Sequence, residues 1–237
     1  MQTQEYGLGG TPVAFGRSEE RLDFIRKTYA HLGGAVLLFA ILEALLFKSG
    51  LAVELTSAML SSRGGMIIVM VAFMLVGTFA NRWAQSGRSV PMQYFGLGLY
   101  VLAEVLIFCP LLFVAEYYSK QPNLIRDAGV ITSILFGGLT GVVFLTRKDF
   151  SFMRGILSAA GIAMLAIAVA SLIFGFNLGM LYCGAAVFLA AGYILYYTSN
   201  VMRHYPPGSH VAAALALFSA LALMFWYVLR ILMDRRS

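Results

Sequence analysis

The sequence predicts an all-α membrane protein, a bundle of seven transmembrane helices. Of its 237 residues, 60% are hydrophobic and only 12% are charged, and the mean hydropathy is +0.81. A soluble domain has about 25% charged residues, so half that proportion cannot cover a surface that faces water. The apolar residues also fall into continuous runs of about 20, the length of a membrane-spanning helix. This composition excludes a soluble enzyme, a disordered chain and a nucleic-acid-binding module.

Each apolar run is predicted to be a helix, because a helix satisfies its own backbone hydrogen bonds in hydrocarbon. Turn residues and interfacial aromatic residues separate the runs: Trp83 and Tyr94 flank the second turn, Asp127 precedes the fourth run, and Pro206 and Pro207 break the chain before the last. The predicted organisation is a cytoplasmic N-terminal segment (1–28), a transmembrane domain (29–233) and a short tail (234–237). The seven predicted spans are 29–47, 66–83, 94–114, 128–145, 155–174, 178–199 and 211–233.

The distribution of Lys and Arg predicts a cytoplasmic N-terminus. Ten of the seventeen basic residues precede the first span or lie at the turns 2–3, 4–5 and 6–7, and four lie in the opposite loops. With seven crossings the basic C-terminal tail lies outside, which conflicts with the rule that Lys and Arg are in excess on the cytoplasmic side. A seventh segment that re-enters the membrane without crossing it would keep the tail inside. We expect seven crossings, because 211–233 is long enough to span.

Two carboxylates fall inside predicted spans, where an ionisable group is costly and therefore indicates a candidate functional site. Glu104 lies near the middle of the third span, and Glu43 lies one turn from the outer end of the first. A carboxyl group that faces a cavity could respond to protons or cations. The alternative is a protonated or hydrogen-bonded side chain that only joins helices; it is equally strong for Glu104 and stronger for Glu43. Arg82 is a third candidate, although its place at the end of the second span favours a side chain that extends to the interface.

Sequence motifs of enzymes and cofactor sites are not found. The chain has no G-x-S-x-G, H-E-x-x-H or P-loop pattern. Its three histidines have no neighbouring cluster of carboxylates or thiols in the sequence, so we expect no metal site. The sequence therefore predicts a protein without enzymatic activity or cofactor.

Three stretches together resemble the Bax inhibitor-1 family of seven-helix membrane proteins, in its bacterial branch. They are FIRKTYAHL at 24–32, TRKDFSFM at 146–153, and GYILYYTSN at 192–200 followed by AAALALF at 212–218. Their order and spacing match the family from about residue 24 to residue 232. The resemblance implies a bundle in which six helices surround a central seventh. It also implies a calcium-permeable, pH-sensitive leak channel that a pair of aspartates in spans 6 and 7 closes.

The chain departs from the family pattern at this aspartate pair. The span 6 motif Tyr-x-x-Tyr-Asp is YILYY here, so Tyr197 takes the place of the first aspartate. In span 7, AALALFSA places Ala220 at the second, and a slip of one residue would place Ser219 there. Residues 178–233 contain no Asp or Glu. The paired sensor cannot be carried over, because tyrosine titrates only near pH 10 and alanine not at all. We expect Tyr197 and Ala220 to lie close together, with a hydrogen bond to the Tyr197 hydroxyl.

Two functions follow. The first is a passive cation leak, with calcium or protons as its ligands, whose pH response is lost or moved to Glu104. The second is a non-conducting regulator that acts through partners, since the resemblance links bacterial relatives to a membrane-bound ATP-dependent protease. Membrane lipid is the expected surrounding in either case, and the bacterial cytoplasmic membrane is the expected location.

Cysteine labelling tests the predicted topology. A Ser18→Cys variant should resist membrane-impermeant maleimide added to intact cells and react after the membrane is permeabilised, because position 18 is predicted to be cytoplasmic. Labelling in intact cells would contradict the orientation.

Overall fold

The computed structural model describes residues 18–61, 63–84, 89–119 and 123–234, and they are almost entirely helical. There are also two single turns of 3-10 helix. Ser151–Met153 lies just before the α-helix that begins at Arg154, and Pro207–Ser209 lies just before the α-helix that begins at His210. The α-helices of the described chain are α1 (Ser18–Lys48), α2 (Leu51–Leu60), α3 (Arg63–Ala84), α4 (Val90–Tyr117), α5 (Leu124–Thr146), α6 (Arg154–Phe174), α7 (Met180–Arg203) and α8 (His210–Asp234).

Seven of these helices, α1 and α3 to α8, are long and apolar enough to cross a membrane. They match the seven predicted spans in order, the sixth of which begins two residues before α7, so the predicted all-α membrane bundle is confirmed. Helix α1 begins at Ser18, well before the predicted start of its span, because the charged residues there continue the helix beyond the apolar run. Residues 1–17 and 235–237, with most of the predicted tail, lie outside the described residues.

Helix α2 is an addition that the sequence analysis did not predict. Its ten residues are too few to span, since a helix rises 1.5 Å per residue. Gly50 precedes it with φ of 78°, a left-handed conformation that glycine adopts without strain. The helix packs on α4, where the Cys109 thiol donates to the Ala52 carbonyl oxygen over 3.8 Å. It therefore covers one end of the bundle.

Helix α8 lies at the centre, as predicted. It is the most deeply buried of the spanning helices, and α1, α3, α4, α5 and α7 all pack against it. Residues 211–215 are buried without interruption, and three of them are alanines. Small side chains allow helix backbones to approach closely in a membrane. Helix α6 packs mainly against α7, α3 and the 3-10 turn before it. The expectation was that six helices surround the seventh spanning helix, α8; five of them pack closely against it, and α6 lies further out.

The two ends of the bundle differ in chemistry. We call the end where α1 begins, where α5 meets α6 and where α7 meets α8 the basic end; it is the predicted cytoplasmic side. At this end the ring of Phe24 in α1 stacks on Tyr205 after α7, with centroids 6.4 Å apart. We call the other end the outer end. The core near it centres on Phe108, whose ring meets Phe39 edge-on at 5.2 Å and Trp226 edge-on at 5.0 Å.

Gly96 tests the packing of α3 against α4. A Cβ atom at position 96 would lie 2.6 Å from the Ala80 carbonyl oxygen and 2.7 Å from the Ala84 nitrogen. Backbone atoms cannot yield cheaply, so we expect Gly96→Ala to destabilise the protein by about 1–3 kcal/mol, as other overpacked cores do. Thermal unfolding in detergent measures this effect. Gly98→Ala is the matched control, because its Cβ would meet nothing within 4 Å. Equal losses in both variants would contradict a tight contact at Gly96.

Candidate functional site

Glu104 faces the interior of the bundle. Only 5% of its surface is exposed, although it lies on a membrane-spanning helix. Tyr100 lies one helical turn earlier on the same face of α4, and the two side chains interact. The Tyr100 side chain also interacts with Ser219 of α8, and its ring meets Phe218 edge-on at 6.2 Å. The carboxyl group is therefore connected through a tyrosine to the central helix.

The residues that replace the aspartate pair lie on the adjoining elements. Ala220 of α8 is buried, and Tyr197 of α7 is half-buried and packs against the same hydrophobic cluster. Tyr197 is also close enough to Tyr100 for the two side chains to interact electrostatically. Side chains from three helices thus meet at Tyr100, which is the neighbour of the buried Glu104 carboxyl group. We call Tyr100, Glu104, Tyr197 and Ser219 the core polar site.

The expected hydrogen bond to Tyr197 is not formed among the described residues. The Tyr197 ring stacks on Tyr193, with centroids 5.7 Å apart and planes 12° apart, and contacts Tyr196 at 5.3 Å. Tyr193 does find a partner, because its hydroxyl donates to the Leu157 carbonyl oxygen over 3.0 Å. Tyr197 thus contributes aromatic packing and a polar oxygen to the core polar site.

The other two predicted site residues lie elsewhere. Arg82 is exposed in the last turn of α3, and no hydrogen bond or ion pair of the described residues joins it to Glu104. Glu43 is buried near the outer end of α1, with 6% of its surface exposed. Neither of its carboxyl oxygens has a hydrogen-bond partner in the described chain. Of the two forms expected for Glu43, protonated or hydrogen-bonded, the hydrogen-bonded one is therefore not formed within the described chain.

A second polar cluster lies at the basic end, and the sequence analysis missed it. Asp149, in the turn between α5 and α6, lies 3.2 Å from the imidazole Nε2 of His204 after α7. Its carboxylate also accepts hydrogen bonds from the Ser151 backbone N–H at 2.9 Å and the Ser199 hydroxyl at 3.4 Å. This single contact could not be read from the sequence, because 55 residues separate Asp149 from His204 in the chain. We call Asp149, Ser199, Arg203 and His204 the basic-end clamp.

The electrostatics of the clamp favour an ionised Asp149. Burial raises the pKa of the Asp149 carboxyl group, but the hydrogen bonds from Ser151 and the contact with His204 lower it further, so that its pKa lies below the usual value. Arg203 donates to the Arg147 carbonyl oxygen from the same side. Arg147 ends α5 in a left-handed conformation with φ of 49°, which is costly for a residue with a side chain. The contacts of the clamp thus hold a strained turn in place.

The basic-end clamp and the core polar site have few side chains of the kinds that bind metal ions. Within the described ranges, no group of three or more His, Cys, Asp or Glu side chains could hold a metal ion. The clamp has one carboxylate and one imidazole, and the core polar site has one carboxyl group. Their chemistry suits the binding and release of protons.

Comparison with known proteins agrees with this architecture. A family model described as "Inhibitor of apoptosis-promoting Bax1" matches residues 21–237. The chain belongs to the Bax inhibitor-1 family.

Bax inhibitor-1 relatives come from plants, animals and bacteria. A BI1-like protein of Arabidopsis thaliana is 24% identical over 96% of this chain and 88% of its own length. Protein lifeguard 4 of Mus musculus is 25% identical over 94% of this chain and 90% of its own length. An uncharacterized protein of Pseudomonas aeruginosa is 25% identical over 98% of this chain and 96% of its own length.

The basic-end clamp makes the stability of the folded protein depend on pH. The pKa of the Asp149 carboxyl group is lower in the folded protein than in the unfolded chain, where it is about 3.9. Its contribution to the free energy of unfolding is therefore fully present above the pKa of the unfolded chain. That contribution is lost as the pH falls through the pKa of the folded protein. We expect the thermal midpoint of the wild type to fall more steeply below pH 4 than that of Asp149→Asn. The difference should be under about 1 kcal/mol, because the pair is partly exposed. Asp23→Asn, in an exposed pair with Lys27, is the control. Parallel curves for wild type and Asp149→Asn would refute the clamp.

Proposed function

We propose that this member of the Bax inhibitor-1 family is a passive cation leak protein whose proton-sensitive group is Glu104. The supporting observation is the buried Glu104 carboxyl group, connected through Tyr100 to α8 and close to the positions where the family pattern has its aspartates. An ionised carboxylate at this depth would attract a cation, and a protonated one would not. Protonation of Glu104 therefore determines the charge in the core polar site.

A series of buried hydroxyl groups supports a polar route from the basic end. Tyr29 of α1 interacts with Thr140 of α5 and Thr198 of α7, and Thr198 directly follows Tyr197. The hydroxyl oxygens of all three are buried and form no hydrogen bond of normal geometry in the described chain. Buried polar groups are usually satisfied by protein or by ordered water. We propose that water occupies this convergence of three helices and leads towards the core polar site.

The ion preference should differ from that of relatives that have the aspartate pair. Calcium favours six to eight oxygen ligands, including carboxylates. The core polar site supplies one carboxyl group and three hydroxyl groups. We therefore expect weak discrimination between monovalent and divalent cations, with calcium as one permeant ion rather than a selected one.

The second candidate function is a non-conducting regulator. The absence of acidic residues from 178 to 233, where the resemblance implies a sensor, favours it. Such a protein would act through partners, for example a membrane-bound ATP-dependent protease, with residues 1–27 as the contact segment. We place either activity in the bacterial cytoplasmic membrane, because bacterial relatives cover nearly the whole chain.

Flux through liposomes tests the first function. Purified protein should carry potassium and calcium across the bilayer at rates that change with pH. Glu104→Gln keeps the shape of the side chain and removes titration, so its flux should no longer change with pH. Tyr100→Phe removes the partner of the carboxyl group and should move the midpoint of the pH profile.

Glu116→Gln is the matched control, because Glu116 is an exposed carboxylate on the same helix. It should keep the wild-type profile. If the pH profile of flux is unchanged in Glu104→Gln, then Glu104 is not the proton-sensitive group and its side chain only joins helices. No flux at any pH, together with copurification of a protease, would establish the second function instead.

A further inference from the structure

A groove of about 400 Å³ opens near the outer end of the bundle, away from the core polar site. It lies between α1, α4 and the start of α5. Its walls are mostly apolar, and its charged members come from two helices. The lining residues are Glu43, Ala44, Phe47, Lys48, Leu112, Glu116, Tyr117 and Ile125.

Glu43 is the unusual member of this groove. It is more than nine-tenths buried, and both of its carboxyl oxygens lack a hydrogen-bond donor in the described chain. A buried polar group without a partner costs about 1–3 kcal/mol, and more when it is charged. Lys48 lines the same groove, but no ion pair is formed between the two. The groove therefore contains a strong acceptor without a donor.

The lining indicates which donor fits. Phe47 and Tyr117 stack in parallel, with centroids 6.3 Å apart and planes 6° apart, and present aromatic surface beside Glu43 and Glu116. Carboxylates beside aromatic faces are suited to an organic cation. Two carboxylates are too few for a calcium site, which needs six to eight oxygens. An ammonium group with N–H donors would satisfy both oxygens of Glu43, whereas a quaternary ammonium group has no N–H to donate.

We propose that this outer groove binds a primary ammonium group, with Glu43 as its hydrogen-bond acceptor. The ammonium group belongs either to a soluble amine or to the ethanolamine headgroup of a membrane lipid. Glu43 lies five residues before the end of α1, about 8 Å below it at 1.5 Å per residue, which is within reach of the interface. Because both carboxyl oxygens are buried, the proposed binding requires the Glu43 side chain to turn towards the groove. This site is independent of the proposed leak activity.

Ligand-dependent thermal stabilisation of the purified protein in detergent tests the chemistry. Ethylammonium should raise the unfolding temperature, and tetramethylammonium at the same concentration should not. Glu43→Gln should weaken the apparent affinity for ethylammonium at least fivefold. Glu54→Gln, an exposed carboxylate on α2 that does not line the groove, is the matched control and should behave like the wild type. If Glu43→Gln does not fold, Glu116→Gln should show a weaker loss of the same kind.

Native mass spectrometry of protein from vesicles distinguishes the two sources. The vesicles contain equal parts of phosphatidylethanolamine, phosphatidylcholine and phosphatidylglycerol. Preferential retention of phosphatidylethanolamine, lost in Glu43→Gln, establishes the headgroup as the source. Stabilisation by ethylammonium without lipid preference establishes a soluble amine. Equal effects of ethylammonium and tetramethylammonium, an unchanged response in Glu43→Gln, or stronger stabilisation by calcium would overturn the proposal.

Discussion

Close packing around α8 is the constraint on which the rest of the bundle depends. In hydrocarbon the hydrophobic effect does not drive helices together, so association relies on van der Waals contact and polar interactions. The alanines of α8, among them Ala212, Ala213 and Ala220, allow the surrounding helices to approach its backbone. Larger side chains from the neighbours, such as Phe108, then fill the space between helices. The core polar site depends on this arrangement, because Ser219 of α8 interacts with Tyr100 of α4.

In the predicted alignment Tyr197 and Ala220 stand where the family pattern has two acids, so the core polar site has one carboxyl group instead of a pair. Two neighbouring carboxylates share protons, and their titrations belong to the pair. Tyr197 and Ala220 cannot take part in such sharing. Glu104 instead has Tyr100 as its neighbour, and a phenol can donate to a carboxylate without contributing a second charge near neutral pH. A single group of this kind gives a simple titration rather than a cooperative one.

Hydropathy was sufficient to predict the spanning helices, because each contains a continuous apolar run. Helix α2 was missed, since a ten-residue segment with seven apolar residues is too short to give a spanning signal. The burial of Glu104 could be expected from its depth, and the spacing of Tyr100 and Glu104 could have indicated their contact. The pairing of Asp149 with His204 could not, because it joins distant parts of the chain. The missing partner of Glu43 is equally invisible in sequence, since it depends on how α1 packs against α4 and α5.

The basic-end clamp has a mechanical consequence. Ser199 and Arg203 belong to α7, and their contacts with residues 147–150 fasten the end of that helix to the turn between α5 and α6. Tyr197 lies only half a turn before Ser199 on the same helix. A rotation or shift of α7 that alters the surroundings of Glu104 must therefore either move the α5–α6 turn with it or break the clamp. The position of this surface turn is thus coupled to the position of α7 in the interior of the bundle.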